Sequence, residues 1–177
     1  MIPFRRVREW RQRKRHTPLN NSEKYTLVLM GRADFGLLGS YNKYKQTPFE
    51  TFYVGGDGMT GSYTYATETI GLRGYDNGAL TPYSDGRAYT RFSMELHFPF
   101  LLQPSSTIYG LAFVEGGNAW TSLENFNPFS LKRSAGVGVR IFLPMIGLMG
   151  IDWAYGFDKV QGEKGGGHFH FILGQEF

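Results

Sequence analysis

The stretch RAYTRFSMELHFPF (87–100) decides the fold, because polar and apolar side chains alternate along most of it. A β-strand points successive side chains to opposite faces, so a period of two predicts a strand with one apolar and one polar face. The apolar face holds Ala88, Thr90, Phe92, Met94, Leu96, Phe98 and Phe100. The polar face holds Arg87, Tyr89, Arg91, Ser93, Glu95 and His97.

The same period recurs on both sides of this stretch. It marks five further segments: 24–37, 106–120, 132–143, 149–158 and 168–177. Each has about ten or more residues, the length that a tilted strand needs to cross a bilayer, whereas strands of soluble domains average about five or six. Six charged side chains inside these segments fall on the polar faces, namely Arg32, Asp34, Arg91, Glu95, Arg140 and Asp152.

The connections between these segments alternate in length. Those after 100 and 143 are short, whereas 38–86, 119–131 and 159–167 are longer and rich in glycine, asparagine and tyrosine. Short turns at one end and long loops at the other are typical of outer-membrane β-barrels. Alternation alone also fits a soluble β-sandwich, but strand length and loop asymmetry favour an all-β, antiparallel transmembrane β-barrel.

The composition agrees with this fold class. The chain has 24 glycines, 16% aromatic residues and 19% charged residues, which is typical of a glycine- and aromatic-rich β-protein. It has no cysteine, which excludes disulfides and a thiolate zinc site. No apolar run approaches the roughly 18 residues of a transmembrane helix.

The basic character of the chain is concentrated at its start. Residues 1–16 carry seven basic side chains and one acidic one. Nothing further along supports a nucleic-acid-binding module, so we expect no nucleic-acid partner and interpret 1–16 as a basic segment that is disordered or artefactual. Residues 17–177 would then be the barrel part, with the long loop 38–86 inside it.

Several motifs in this part resemble, in order, those of the BamA family in the bacterial surface antigen superfamily, and most closely members from Bacteroidetes. They are TPFETFYVGGDGM (47–59), IGLRGYDNGAL (70–80), SMELHFPF (93–100), YGLAFVEGGNAW (109–120), LKRSAGVGVRIFLPMIG (131–147), IDWAYGF (151–157) and HFHFILGQEF (168–177). The family's Val-Arg-Gly-Phe-type motif stands here as Leu72-Arg73-Gly74-Tyr75, with leucine for valine and tyrosine for phenylalanine.

The resemblance implies that the chain is the C-terminal part of a barrel of about 16 strands, here its last six, with the remainder missing from this chain. It also implies that the long loop folds back into the barrel, where Arg73 reaches acidic groups that by position are Glu95 and Glu115. A carboxylate matches the planar fork of a guanidinium, and Gly74 permits the tight turn that would present Arg73. Taken without the resemblance, Arg73 is interpreted as a solvated loop residue.

The last segment resembles the β-signal that ends many outer-membrane proteins, with Phe169, Phe171, Leu173 and Phe177 as its alternating apolar residues. A terminal strand with free backbone groups can pair with another strand edge. In the family, this strand closes imperfectly against the first barrel strand and forms the seam where client strands enter.

The implied function is non-enzymatic insertion of other β-barrels into the bacterial outer membrane. The implied partners are the lipid bilayer, nascent barrel clients and accessory lipoproteins, with no cofactor. The alternatives are a related transporter or secretion barrel of the same superfamily, a passive porin, or a soluble β-sandwich binding module. His168 and His170 share a strand face but have no evident third ligand, so we expect histidines that line the lumen and no metal site.

Overall fold

A computed structural model describes residues 10–11, 15–16, 27–39, 51–58, 67–81, 83, 85–103, 106–144, 147–160 and 166–174. The strands are β1 (Trp10–Arg11), β2 (Arg15–His16), β3 (Val28–Leu37), β4 (Thr51–Val54), β5 (Thr67–Ile70), β6 (Ala88–Gln103), β7 (Ser106–Trp120), β8 (Lys132–Leu143), β9 (Gly147–Gly156) and β10 (Gly167–Leu173). A 3₁₀ turn covers Leu123–Asn125. No helix in the described part of the chain is long and apolar enough to cross a membrane.

The long strands form one antiparallel sheet in the order β3–β6–β7–β8–β9–β10, so that each strand pairs with the next long strand along the chain. These are the six strands that the period of two predicts, with ends that differ by a few residues. In the described residues the sheet remains open between β10 at one edge and the short strands β1 and β2, which pair with β3, at the other, as expected of part of a barrel wall. The all-β antiparallel prediction is therefore confirmed.

Strand β6 contains one irregularity, near its turn to β7. The pairing passes from Pro99 with Tyr109 to Leu101 with Ile108, which leaves Phe100 as the extra residue of a β-bulge. Proline has no N–H to donate to the ladder, so a bulge is a natural place for it. The Phe100 ring covers Gly110, where a side chain would collide with it.

Burial in this sheet is the reverse of that in a soluble domain. Many large apolar side chains of the long strands are exposed, among them Met94, Val114, Val137, Ile151, Trp153, Phe169 and Phe171. Charged and polar side chains of the same strands are buried, among them Asp34, Ser93, Glu95, Glu115, Arg140, Asp152 and His170. An apolar outer face and a polar inner face are what a barrel wall needs between lipid and a wet lumen.

The long loop between β3 and β6 supplies most of the residues of one apolar core. Its strands β4 and β5 pair in parallel. The loop buries an apolar cluster against the first residues of β6 and the last residues of β7. The cluster comprises Phe52, Val54, Ile70, Leu72, Tyr75, Leu80, Tyr89 and Ala119. The Phe52 ring meets the Tyr89 ring nearly edge-on at 4.6 Å between centroids. This packing fixes the loop against the polar face of the sheet.

Two short strands come from the basic segment at the start of the chain. Strands β1 and β2 each pair with β3, at Trp10 with Ala33 and at Arg15 with Leu29. The division of the chain at residue 16 remains a prediction, because the other residues of 1–16 lie outside the described part.

Candidate functional site

The motif Leu72-Arg73-Gly74-Tyr75 lies on the inner face of the sheet, held there by the apolar core of the loop. Leu72 is fully buried in that core and forms an isolated antiparallel bridge with Gly56. Gly74 has a φ of +89°, a conformation that costs a residue with a Cβ but not glycine. The chain turns at Arg73 and Gly74, with Leu72 in the loop core and the Arg73 side chain against the wall.

Arg73 is enclosed by three carboxylates that come from three strands. Its Nη2 lies 2.6 Å from Glu115 Oε1 on β7 and also pairs with Glu95 Oε1 on β6. Its Nη1 lies 2.9 Å from Asp152 Oδ2 on β9. Its backbone N–H donates to Glu115 Oε2 at 2.8 Å, so Glu115 holds both ends of the residue. Arg73 thus contacts Glu95 and Glu115, the two acids expected from the sequence, and also Asp152, which was not expected.

Each of these carboxylates also has a second basic partner. Asp152 accepts from both terminal nitrogens of Arg140, with Nη2 at 2.7 Å. Glu115 lies 3.3 Å from Arg91 Nη2, and Glu95 Oε2 lies 2.9 Å from His97 Nε2. The result is a buried network in which Asp152 and Glu115 each face two arginines, and Glu95 faces Arg73 and His97.

The guanidinium of Arg73 also has an apolar contact. Its Cζ lies 3.6 Å from the centroid of the Phe113 ring, within the range of a cation–π interaction. Burial by itself would lower the pKa of Arg73, but the attraction of Glu115 and Glu95 outweighs it and raises that pKa. Arg73 therefore stays charged in this enclosed position.

Close approach of the motif to the wall depends on two glycines. A Cβ on Gly74 would lie 2.9 Å from Ser134 Cβ and 3.0 Å from the backbone N of Gly156. A Cβ on Gly156 would in turn collide with the Gly74 carbonyl oxygen and lie 2.8 Å from the Tyr75 ring. Only glycine at both positions lets the two backbones meet without displacement.

Tyr75 binds the end of the wall that adjoins the long loops. Its hydroxyl donates to the Arg133 carbonyl oxygen on β8 at 2.6 Å and accepts weakly from the Asp158 N–H at 3.4 Å. Burial raises the pKa of this phenol. Asp158, just beyond β9, has a lowered pKa because the Arg133 guanidinium donates to its carboxylate.

The terminal strand β10 presents the predicted apolar residues outward. Phe169, Phe171 and Leu173 are each more than half exposed, whereas His170 and Ile172 point inward and are buried. Phe177 lies outside the described residues. Strand β10 pairs with β9 and ends the described sheet.

Sequence reasoning missed several contacts of the motif. Asp152 was identified only as a charge on a polar face, and the contact of Arg73 with the Phe113 ring was not predicted. His170 was expected to line the lumen, and it also accepts a hydrogen bond from the Gly74 N–H. The described residues contain no group of three or more side chains arranged to hold a metal ion.

Comparison with known families is consistent with this geometry. A family model described as the Omp85 superfamily domain matches residues 9–177. A search of curated proteins finds no match. Because the family match spans almost the whole sequence, the chain belongs to the Omp85 superfamily, a group of outer-membrane proteins with roles in protein insertion or transport.

Proposed function

We propose that this protein inserts other β-barrels into the bacterial outer membrane, as members of the BamA family do. The observation that carries the proposal is the buried contact of Arg73 with Glu95, Glu115 and Asp152. It supports a folded-in loop that braces the inner wall, which the resemblance implies for this family. The work is non-enzymatic in this proposal, and no cofactor takes part.

The bracing involves five consecutive strands. Arg73 binds β6, β7 and β9, Tyr75 binds the β8 backbone, and Gly74 binds β10. A sheet that ends in an unclosed edge is open to twisting and strand separation. A hydrogen bond or ion pair from the motif to every strand from β6 to β10 opposes both movements. The seam beside β10 can therefore open while the rest of the wall stays folded.

Strand β10 is the proposed receiving edge for client strands. Its outward residues are apolar, which suits contact with lipid beside the seam. An unpaired N–H or C=O group costs several kcal/mol in hydrocarbon, so a client strand that pairs there is strongly favoured over one that does not. Burial of the client's own apolar belt then drives its release into the bilayer. The proposed partners are thus the bilayer and nascent barrels, with accessory lipoproteins of the assembly complex.

The experiment replaces the wild-type gene with a variant in the native host. Arg73→Met keeps the length of the side chain and removes its charge. We expect folded β-barrel proteins of many kinds to decline together in the outer membrane, with unfolded precursors accumulating. Arg133→Met is the matched control, because this arginine side chain is exposed and its backbone carbonyl, the atom that binds Tyr75, is retained.

The result also separates the proposal from its main alternative. Loss of one secreted or assembled substrate, with all other barrels at normal levels, would identify a dedicated transporter of the same superfamily. Normal levels of every barrel in the Arg73→Met strain would contradict the proposed role of the brace.

A further inference from the structure

His170 joins the loop motif to the terminal strand. It lies on the inner face of β10, is buried, and sits directly across from Asp152 of β9. Its Nε2 accepts a hydrogen bond from the backbone N–H of Gly74 at 2.9 Å. A side chain of the strand proposed to receive clients is therefore bonded to the backbone of the loop motif.

This bond requires one protonation state of the imidazole. Nε2 can accept from an N–H only when it carries no proton, which places the single proton of the neutral ring on Nδ1. In the imidazolium form both ring nitrogens are donors, so the protonated ring would face the Gly74 N–H donor to donor. Protonation of His170 and the bond to Gly74 exclude each other.

The charges around His170 do not remove this conflict. Those that face it are Asp57 and Arg73 from the loop, Asp152 from β9 and His168 from its own strand. Asp152 is already bound by Arg73 and Arg140, and Arg73 opposes a second cation nearby. His168 lies 3.2 Å from Asp76 through its Nδ1 and stacks 6.2 Å from the His170 ring.

We propose that His170 is a positioning residue that latches β10 to the loop motif only while its imidazole is neutral, so that acidification frees the terminal strand. By linkage, the latch is complete at pH values above the titration of His170 and is lost as the pH falls through it. This inference rests on the proposed function for its biological meaning, because the freed strand is the one that would receive clients. The latch itself is a property of the chain and can be measured without any client.

The experiment follows the exchange of the Gly74 amide for deuterium by mass spectrometry, on the intact protein in lipid bilayers at about pH 5.5 and about pH 8. Rates are corrected for the intrinsic pH dependence of amide exchange. We expect the corrected rate to rise on the order of fivefold at the lower pH, which corresponds to the loss of one net hydrogen bond. The neighbouring amide of Arg73, which donates to Glu115, should change much less.

Two variants distinguish a latch from general loosening. His170→Gln keeps an acceptor that does not titrate, so its Gly74 amide should be protected equally at both pH values. His168→Gln is the matched control from the same strand face and should retain the pH dependence. Equal protection of the wild-type amide at both pH values would overturn the proposal, as would a His170→Gln protein that titrates like the wild type.

This readout is independent of barrel assembly. If exchange shows the latch but Arg73→Met cells assemble every barrel normally, the proposed function fails and the latch stands. If exchange shows no latch while assembly depends on Arg73, the failure is confined to the role of His170.

Discussion

Removal of the Arg73 charge should destabilise the folded wall by about 3 kcal/mol, which lies at the low end of the roughly 3–5 kcal/mol observed when one member of a buried ion pair is lost. The perturbation is Arg73→Met, which leaves the backbone N–H bond to Glu115 in place. We use the low end of this range because each of the three carboxylates around Arg73 keeps another hydrogen-bond partner. Asp152 keeps Arg140 Nη2 at 2.7 Å, and Glu115 keeps Arg91 Nη2 at 3.3 Å.

The assay is denaturant unfolding of the intact protein in lipid vesicles, followed by tryptophan fluorescence. Combining Arg73→Met with Glu115→Gln should recover on the order of 1 kcal/mol relative to the sum of the two single changes, because Glu115 is then no longer a buried carboxylate that has lost the Arg73 charge. Asp158→Asn serves as the control, since it breaks an exposed ion pair and should cost less than about 1 kcal/mol. An Arg73→Met protein within about 0.5 kcal/mol of the wild type would contradict a buried ion-pair network at Arg73, because changes that small are typical of surface positions.

Three further predictions concern the turn, the phenol and the outer face. Gly74→Ala should cost more than about 1 kcal/mol in the same unfolding assay, because its φ of +89° and the wall both oppose a Cβ, whereas Gly31→Ala meets open space and should change little. Tyr75→Phe should cost about 1 kcal/mol at neutral pH. Burial raises the pKa of the Tyr75 phenol, so its contribution is present below about pH 10 and lost as the pH rises through the raised value, and the Tyr75→Phe protein should lack this alkaline step. Val137→Arg should lower the folded yield in outer membranes, at a cost of about 2–4 kcal/mol near mid-bilayer, and Val137→Leu should not; equal yields would contradict an outer face in lipid.

The strand pattern was accessible from the sequence because it depends on local side-chain period. In 87–100, the residues assigned to the polar face include Ser93 and Glu95, which are buried, and those assigned to the apolar face include Met94, which is exposed. The parallel pair β4–β5 was not predicted. It lies within 38–86, where glycine interrupts any regular period, and its formation depends on packing of the loop against the wall.

The motif contacts were only partly accessible. The resemblance pointed to Glu95 and Glu115, but Asp152 is separated from Arg73 by 79 positions and reaches it only through the combined registers of β7, β8 and β9. A hydropathy pattern predicts the face of the sheet on which each side chain lies, but not the register that places it beside residues of other strands. The bond from Gly74 to His170 has the same origin, because it needs the register of β10 and a turn that no side-chain pattern encodes.

We expect the sheet to turn its apolar face to lipid and its charged face to an interior that the loop occupies. The chain has no cysteine, so single nitroxide labels can be attached at Ser93, Met94, Ser134 and Val137 of the bilayer-embedded protein through introduced cysteines. Collision with lipid-soluble and water-soluble relaxation agents then gives the environment of each side chain. We expect strong collision with the lipid-soluble agent at Met94 and Val137 and little at Ser93 and Ser134. Lipid exposure at the two serine positions, or water exposure at Met94 and Val137, would contradict this expectation.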